Sequence, residues 1–584
     1  MKPIRFRHTL SALALTAVLA GCSSAAGTTT DTDTADSSTE VSAAVAASVG
    51  TSTADALAAN EAATDDPDAA AYDAATAVAV DLGAGTAAEG VTVTDGTVTV
   101  TDGGTYVLSG TLAGQVVVDT EGAVTLVLDG ADITSDTTAA LAVMAAESAV
   151  VVLADGSSNS LEDAAEYASA DEEPNAALYS AADLTLTGSG ELTVTGNAND
   201  GIASKDGLVI QSGTITVDAA DDGIRGKDYL VIQDGTVAVT AGGDGLKADN
   251  AEDAAAGYVY LAGGTVDVTA GADGVQAATD VLVSGGTVDV VAGGGSSQTV
   301  ADDASAKGLE ADVSVVVGGG TVDVDAADDA VNSNGAVSIT DGTLTLASAD
   351  DGVHADTDLT VAGGAVTVTG SYEGLESAAV TISGGQVDVT ADDDGINVAG
   401  GDDGSATQGP GGGGDGFAAA GDFLLTISGG TLVVDSAGDG LDSNGDAVMT
   451  GGTVAVNGPT GSGNGALDVN GTFDVSGGTL LAAGSSGMLV SPDSASVQGW
   501  VTVVLDSAAS AGDAVQVVSS SGEVVASFTA VKAAQSVVFS SPDVAAGEAY
   551  TVTVDGADAG SATAGEAAAG GGMGGGMGGP PGRN

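Results

Sequence analysis

The sequence predicts an all-β chain wound as a right-handed parallel β-helix of 22-residue coils, and three observations predict it. Asp-Gly-apolar triplets begin at Asp200, Asp222 and Asp244, 22 residues apart, and each period carries a strand after Gly-Thr, as in Gly213-Thr214-Ile215-Thr216-Val217 and Gly235-Thr236-Val237-Ala238-Val239. No helical period interrupts these strands, which excludes crossovers of the βαβ kind. The chain has 43% hydrophobic but only 3% aromatic residues, so Val and Ala on short strands must supply the core. A period of this length accommodates three strands and three corners, and stacked coils lie about 4.8 Å apart. Parallel connections are almost always right-handed, which fixes the hand. A calcium roll needs a nonapeptide period and a propeller needs blades of about 40 residues, so neither fits.

At the N-terminus, Lys2, Arg5 and Arg7 precede an apolar run from Leu10 to Leu19, too short for a stable membrane anchor, that ends in Leu19-Ala20-Gly21-Cys22. Residues 1–22 therefore read as a lipoprotein signal peptide, with the sole cysteine, Cys22, as the lipid attachment site on the extracellular face of the envelope. With that thiol committed, no disulfide is expected. Residues 23–85, rich in Thr, Ala, Asp and Ser, read as a disordered tether. Residues 86–490 carry the β-helix. The triplet slot continues at Asp273 after an insertion near 251–256, is held by Lys307 after another, and returns at Asp329, Asp351, Glu373, Asp394 and Asp439. The acidic stretch Leu161 to Pro174 reads as a surface loop. Residues 491–560 alternate again and read as a small β module capping the open end of the rod. The Gly- and Met-rich residues 561–584 read as a disordered tail.

The net charge of −72 excludes nucleic acid and anionic lipid as partners, leaving the membrane to the N-terminal lipid alone. The protein reads as a monomer. An acidic polysaccharide would need a divalent cation between itself and this surface. Stacking brings the triplet acids into one column, often with a second acid beside them, and makes metal-ligand candidates of Asp200, Asp221, Asp222, Asp244, Asp249, Asp328, Asp329, Asp350, Asp351, Asp393 and Asp394. Hard oxygen donors at this density suit Ca²⁺. The plainer reading is a tight turn in which Asp bonds its own backbone and Gly takes positive φ.

Five basic residues, Lys205, Arg225, Lys227, Lys247 and Lys307, fall at the same corner. They either pair internally with the acids or form a strip for a sugar carboxylate. A further column follows the triplets: Arg225, Lys247, Glu310, Asn332, His354, Glu376, Asn397 and Asp442. Long polar side chains stacked in this way suit hydroxyl recognition, and Lys205, Arg225, Lys227, Lys247, Glu310 and Glu376 are the carbohydrate-binding candidates. His354 reads as a member of this ladder rather than a base. Catalysis is not expected, because no Ser-His-Asp arrangement is present. A calcium-dependent lyase would have to use Arg225 as its base. The third alternative is a structural adhesin or envelope spacer stiffened by calcium.

The runs Asn199-Asp200-Gly201-Ile202-Ala203-Ser204-Lys205-Asp206, Asp221-Asp222-Gly223-Ile224-Arg225-Gly226-Lys227-Asp228 and Gly243-Asp244-Gly245-Leu246-Lys247-Ala248-Asp249-Asn250 resemble a family of bacterial carbohydrate-binding, polysaccharide-lyase-like β-helix proteins. The segment Gln535-Ser536-Val537-Val538-Phe539-Ser540-Ser541-Pro542-Asp543 is similar to that family's end, and the resemblance spans roughly residues 90–560. It implies calcium, cellulose or polygalacturonate as ligand, and no established turnover. Lys307 in place of a corner acid, and Ala378 and Ala399 in place of polar residues, depart from the pattern.

Overall fold

A computed structural model describes residues 50–64, 66–167, 173–301, 304–400 and 421–567. The expected signal peptide with Cys22, the first part of the tether, the centre of the acidic loop, most of the Gly-rich insertion after residue 400 and the end of the tail lie outside the described residues. Among the described residues no helix is long and apolar enough to cross a membrane.

The chain is nearly all β and most of its strands join one large, mainly parallel sheet. Each repeat contributes three strands, such as Ile224–Gly226, Tyr229–Ile232 and Thr236–Ala241. Each pairs in parallel with its counterpart in the next repeat, giving three ladders: Ile224 with Leu246, Leu230 with Val259, Val237 with Val266. Partners are 22 residues apart where no insertion intervenes, as for Leu208 with Leu230 and Val331 with Val353. The third strand of the repeat alternates as the pleat requires: Val237 and Val239 are buried in the central core while Thr236 and Thr240 are exposed.

The second strand does not alternate. Tyr229–Ile232 and Asp280–Val283 are buried at every position, and the cause corrects the expected disordered tether. Residues 50–64 and 66–85 are structured. Ser52 caps a short helix, Thr53–Ala59, whose Ala56 packs on the outward-facing Leu282 and Val316, with Leu57 touching both this cluster and the one around Val231. From there the segment runs back along the stack. The Glu61 amide bonds the Ala255 carbonyl, the Tyr229 hydroxyl accepts from the Thr64 amide, and the Tyr258 hydroxyl donates to the Glu61 carbonyl. A strand facing core on one side and strap on the other must be apolar on both.

At the far end Thr479–Gly484 turns from parallel to antiparallel pairing with Ala534–Ser540. A four-stranded antiparallel sheet, Val524–Thr529, Ala514–Ser519, Ala549–Val554 and Ala557–Thr563, closes the molecule around a second core containing Val501, Val515 and Phe539. The expected tail therefore begins too early at residue 561, because Ala557–Thr563 pairs with Ala549–Val554. The expected acidic surface loop also starts too early: Ser158–Glu162 is a strand with Leu161 in the core.

Candidate functional site

The corner between the third strand of one repeat and the first strand of the next gathers the predicted acids. Asp200, Asp222, Asp244, Asp273, Asp329, Asp351 and Glu373 are all buried. Their carboxylates do not fold back on their own turns. Asp222 Oδ1 accepts the backbone N–H of Asp244 at 3.0 Å, Asp244 Oδ1 that of Asp273 at 3.0 Å, and Asp329 Oδ1 that of Asp351 at 3.0 Å. Each acid thus ties its corner to the next repeat, and one oxygen is left to face outward. The glycine after each acid is not in the positive-φ region. It is needed because the next repeat comes so close.

The outward oxygens meet the neighbouring polar column. Backbone register places Arg225, Lys247, Gln276, Glu310, Asn332, His354, Glu376, Asn397, Asp442 and Asp468 in one continuous ladder. Gln276, which directly follows the triplet at Asp273, and Asp468 belong to it although neither was singled out in the sequence. Lys247 Nζ bridges Asp222 Oδ2 at 3.1 Å and Asp244 Oδ2 at 2.6 Å. Lys307 Nζ bridges Asp328 Oδ2 at 3.2 Å and Asp329 Oδ2 at 2.8 Å. Arg225 pairs with Asp249 and lies 3.6 Å from Asp200 Oδ2. Asn332 donates to Asp329 and Asn397 to Glu373. His354 Nδ1 lies 3.1 Å from both Asp351 and Glu376. Lys205 is set apart on Glu173, at 2.8 Å, and Lys227 is half-exposed at the same corner. Internal pairing thus engages four of the five corner cations.

Among the described residues, two groups of side chains have ligand atoms within 4.8 Å of one another: Asp328, Asp329 and Asp350, and Asp351, His354 and Glu376. Of the remaining metal candidates, Asp221 is exposed and Asp393 half-exposed. The site is electrostatically strained. Burial, with repulsion from neighbouring acids, pushes Asp200, Glu310 and Asp350 up to about 7. Burial pushes Asp439 to about 7 as well, and Asp351 and Asp394 well above the usual carboxylate range. Burial alone would lower His354, but its bonds to Asp351 and Glu376 raise it to about 12. It is held as an imidazolium and cannot act as a base at neutral pH.

Buried oxygens without any hydrogen-bond partner recur along this ladder, at Gln276 Oε1, Asn332 Oδ1, Glu376 Oε1 and Asn397 Oδ1, and at the corner acid Asp351 Oδ1. An oxygen acceptor withdrawn from water without a donor is costly, and a hard cation satisfies it. The donor set, carboxylate and amide oxygen with little nitrogen and no sulfur, fits Ca²⁺.

A carbohydrate-binding domain-containing protein of Acetivibrio thermocellus is 45% identical over 64 residues, covering 10% of this chain and 22% of the relative. The chain therefore spans about a fifth of that protein's length. A solved structure of a polysaccharide lyase-like protein from C. thermocellum, a gadolinium derivative, is 33% identical and matches 46% of this chain and 98% of its own, with a TM-score of 0.33. The model of the carbohydrate-binding domain-containing protein family matches residues 94–352 and 350–568, most of the sequence. The chain belongs to the family of carbohydrate-binding domain-containing proteins.

Proposed function

We propose that this is a non-catalytic polysaccharide-binding protein, a right-handed parallel β-helix that carries calcium in its acidic corner column and is held at the outer face of the cell envelope through Cys22. The observation that carries the reading is the run of buried oxygens without donors, Asn332 Oδ1, Asp351 Oδ1, Glu376 Oε1 and Asn397 Oδ1, stacked beside the corner acids. Calcium, when bound, supplies positive charge and open coordination positions to which a glycan carboxylate or hydroxyl can attach. The chain's own residues fix the acids in register, through the corner bonds from one repeat to the next. Family membership supports a carbohydrate as the ligand. Electrostatics supports an acidic or cellulosic glycan reached through a cation, since a bare surface of this charge repels polyanions.

The lyase alternative is disfavoured by the state of Arg225. A base must give up its proton, yet burial is outweighed by Asp249 and Asp200, which raise Arg225 above its already high value. The test is retention of the protein on insoluble cellulose and on cross-linked polygalacturonate, with calcium and with chelator. Retention that chelator abolishes is expected. Equal retention under both conditions removes calcium from the reading. No retention at all favours a structural role in which calcium only stiffens the rod.

A further inference from the structure

The second-strand ladder ends against a segment that is not a strand. Residues 489–498 lie where a further second strand would follow Phe473–Val475. Asp493 and Gln498 donate their backbone N–H groups to the Phe473 and Val475 carbonyls. In return side chains, not backbone carbonyls, receive the strand's own donors: Asp493 Oδ2 accepts the Phe473 N–H at 2.9 Å and Ser496 Oγ that of Val475 at 3.0 Å. Beside this irregular segment, at the start of the strand Trp500–Ala509, lies a cavity of about 280 Å³. No residue of the acidic corner lines it.

The lining combines apolar Leu489, Pro492 and Trp500, the sole tryptophan of the chain, with polar Ser491, Asp493 and Ser494. Several of the polar atoms are engaged. Trp500 Nε1 donates to the Asp493 carbonyl at 3.1 Å, and the Ser491 hydroxyl shares a bond of 2.9 Å with that of Thr502. Asp493 Oδ2 is held by Phe473, so Asp493 Oδ1 and the Ser494 hydroxyl, both on exposed residues, are the groups turned over to a ligand. An ionised carboxylate oxygen accepts from hydroxyls and a serine hydroxyl both gives and takes, while the indole and its apolar neighbours suit a C–H face. Those are the two surfaces of a sugar ring. The volume lies at the lower end of small-molecule sites, about 300–1,000 Å³, and suits one ring rather than a length of chain. Charge selects the kind of ring. The lining holds a carboxylate and no Lys, Arg or His, and exposed Glu566 stands between the lining residues Gly565 and Ala567. A uronate would be repelled there, and a neutral ring would not.

We propose that this cavity is a second carbohydrate site, which receives one neutral sugar ring at a chain end without calcium. Asp493 accepts from the ring hydroxyls, and Trp500 with Leu489 and Pro492 takes the apolar face. The proposal rests on the carbohydrate reading above but not on its calcium clause, and it gives the molecule separate places for a neutral chain end and for a cation-bridged glycan.

The experiment is a titration of the full-length chain in chelator with cellobiose and with digalacturonate, followed by saturation-transfer NMR, for wild type, Asp493→Asn and Ala567→Phe. Asn at 493 keeps an acceptor for the Phe473 N–H and removes the charge. Ala567 is exposed, so Phe there fills the cavity without entering the core. The wild type should bind cellobiose, and digalacturonate at least about tenfold more weakly. Asp493→Asn should weaken cellobiose by about tenfold, the scale of one charge-assisted bond, and Ala567→Phe should abolish it. A wild type that does not bind cellobiose overturns the site, whatever calcium does for retention on insoluble polysaccharide. Binding unchanged by Ala567→Phe lies elsewhere and overturns it too. Digalacturonate bound as tightly as cellobiose overturns the neutral-ring assignment. Should Asp493→Asn not fold, Ala567→Phe decides. Cellobiose bound here by a chain that calcium does not retain on polysaccharide keeps this site and removes the calcium reading.

Discussion

A methyl group added at Gly223 would lie 2.2 Å from Val239 Cγ1 and 2.6 Å from the Gly245 carbonyl oxygen. The same meeting with a Val Cγ1 recurs at Gly201, Gly245, Gly274, Gly308, Gly374, Gly395 and Gly440. One repeat departs from this, and it shows the cause. Asp329 is followed by Ala330, and the residue in register with Val324, which fills this place in the preceding repeat, is Leu346. Leu is not β-branched, so it leaves room where Val puts a methyl group. Gly235, in the Gly-Thr turn, is different: its φ of +104° is one that a side chain rarely adopts. Gly223→Ala should therefore destabilise by about 2–3 kcal/mol through overpacking. Adding Val239→Leu should recover part of that loss in a double-mutant cycle measured by chemical unfolding. If Val239→Leu merely adds its own cost, steric pairing between the two positions is not the reason for the glycine. The sequence made the Asp-Gly motif visible through its period, but suggested a positive-φ turn. The actual reason, contact with the next repeat, involves residues 16 to 45 positions away and leaves no local signal.

At the scale of elements, the strap of residues 50–64 is the feature least readable from its own sequence. Its Thr, Ala and Asp composition resembles a linker, and the helix Thr53–Ala59 is too short to show a period. The signal lay in its partner. Leu230-Val231-Ile232, Val281-Leu282-Val283 and Val315-Val316-Val317 are apolar without alternation, which on a strand means that both faces are covered. The ladders themselves were readable because the period resumes after insertions of 7, 12 and 23 residues, and the C-terminal module because its strands alternate. The strap's grip depends on Ala56 fitting between Leu282 and Val316. Ala56→Glu places a charge in that contact, where burial without a partner is unfavourable. Backbone amides of residues 52–64 should then exchange with deuterium at least about tenfold faster, while the ladder amides of Val237 and Val239 keep their protection. Exchange unchanged in 52–64 would mean that the polar bonds of Glu61 and Thr64, not the helix, hold the strap.

For the whole molecule, the stacking that orders the acids also concentrates their charge, so stability should follow pH in a direction opposite to ordinary acid denaturation. Asp200, Glu310, Asp350 and Asp439 are raised to about 7 in the folded chain, whereas their unfolded values are those of ordinary carboxylates. A carboxyl raised in the folded state favours folding in its protonated form. That contribution is fully present below the unfolded value and is lost as pH rises through the folded value. Between pH 8 and pH 5.5, in chelator, these groups take up protons in the folded chain while their unfolded counterparts stay ionised, so lowering the pH should stabilise the rod. His354, raised to about 12, stays protonated across this window in the folded chain, while its unfolded counterpart takes up its proton only as pH falls through about 6.5, so its contribution also grows from pH 8 downward and levels off below that value. The acids and the histidine act in the same direction, and the melting temperature without calcium should rise by about 5 °C or more from pH 8 to pH 5.5. Calcium acts on the same repulsion by another route. At pH 8 it should raise the melting temperature, and it should flatten the pH dependence, because ions at the acidic levels replace the protons that would otherwise be needed. Scanning calorimetry at both pH values, with calcium and with chelator, measures all four quantities. A chelated rod that loses stability on acidification would show that its acids are relieved by their hydrogen bonds and resident lysines alone, and the column would then be a structural ladder with no call on metal.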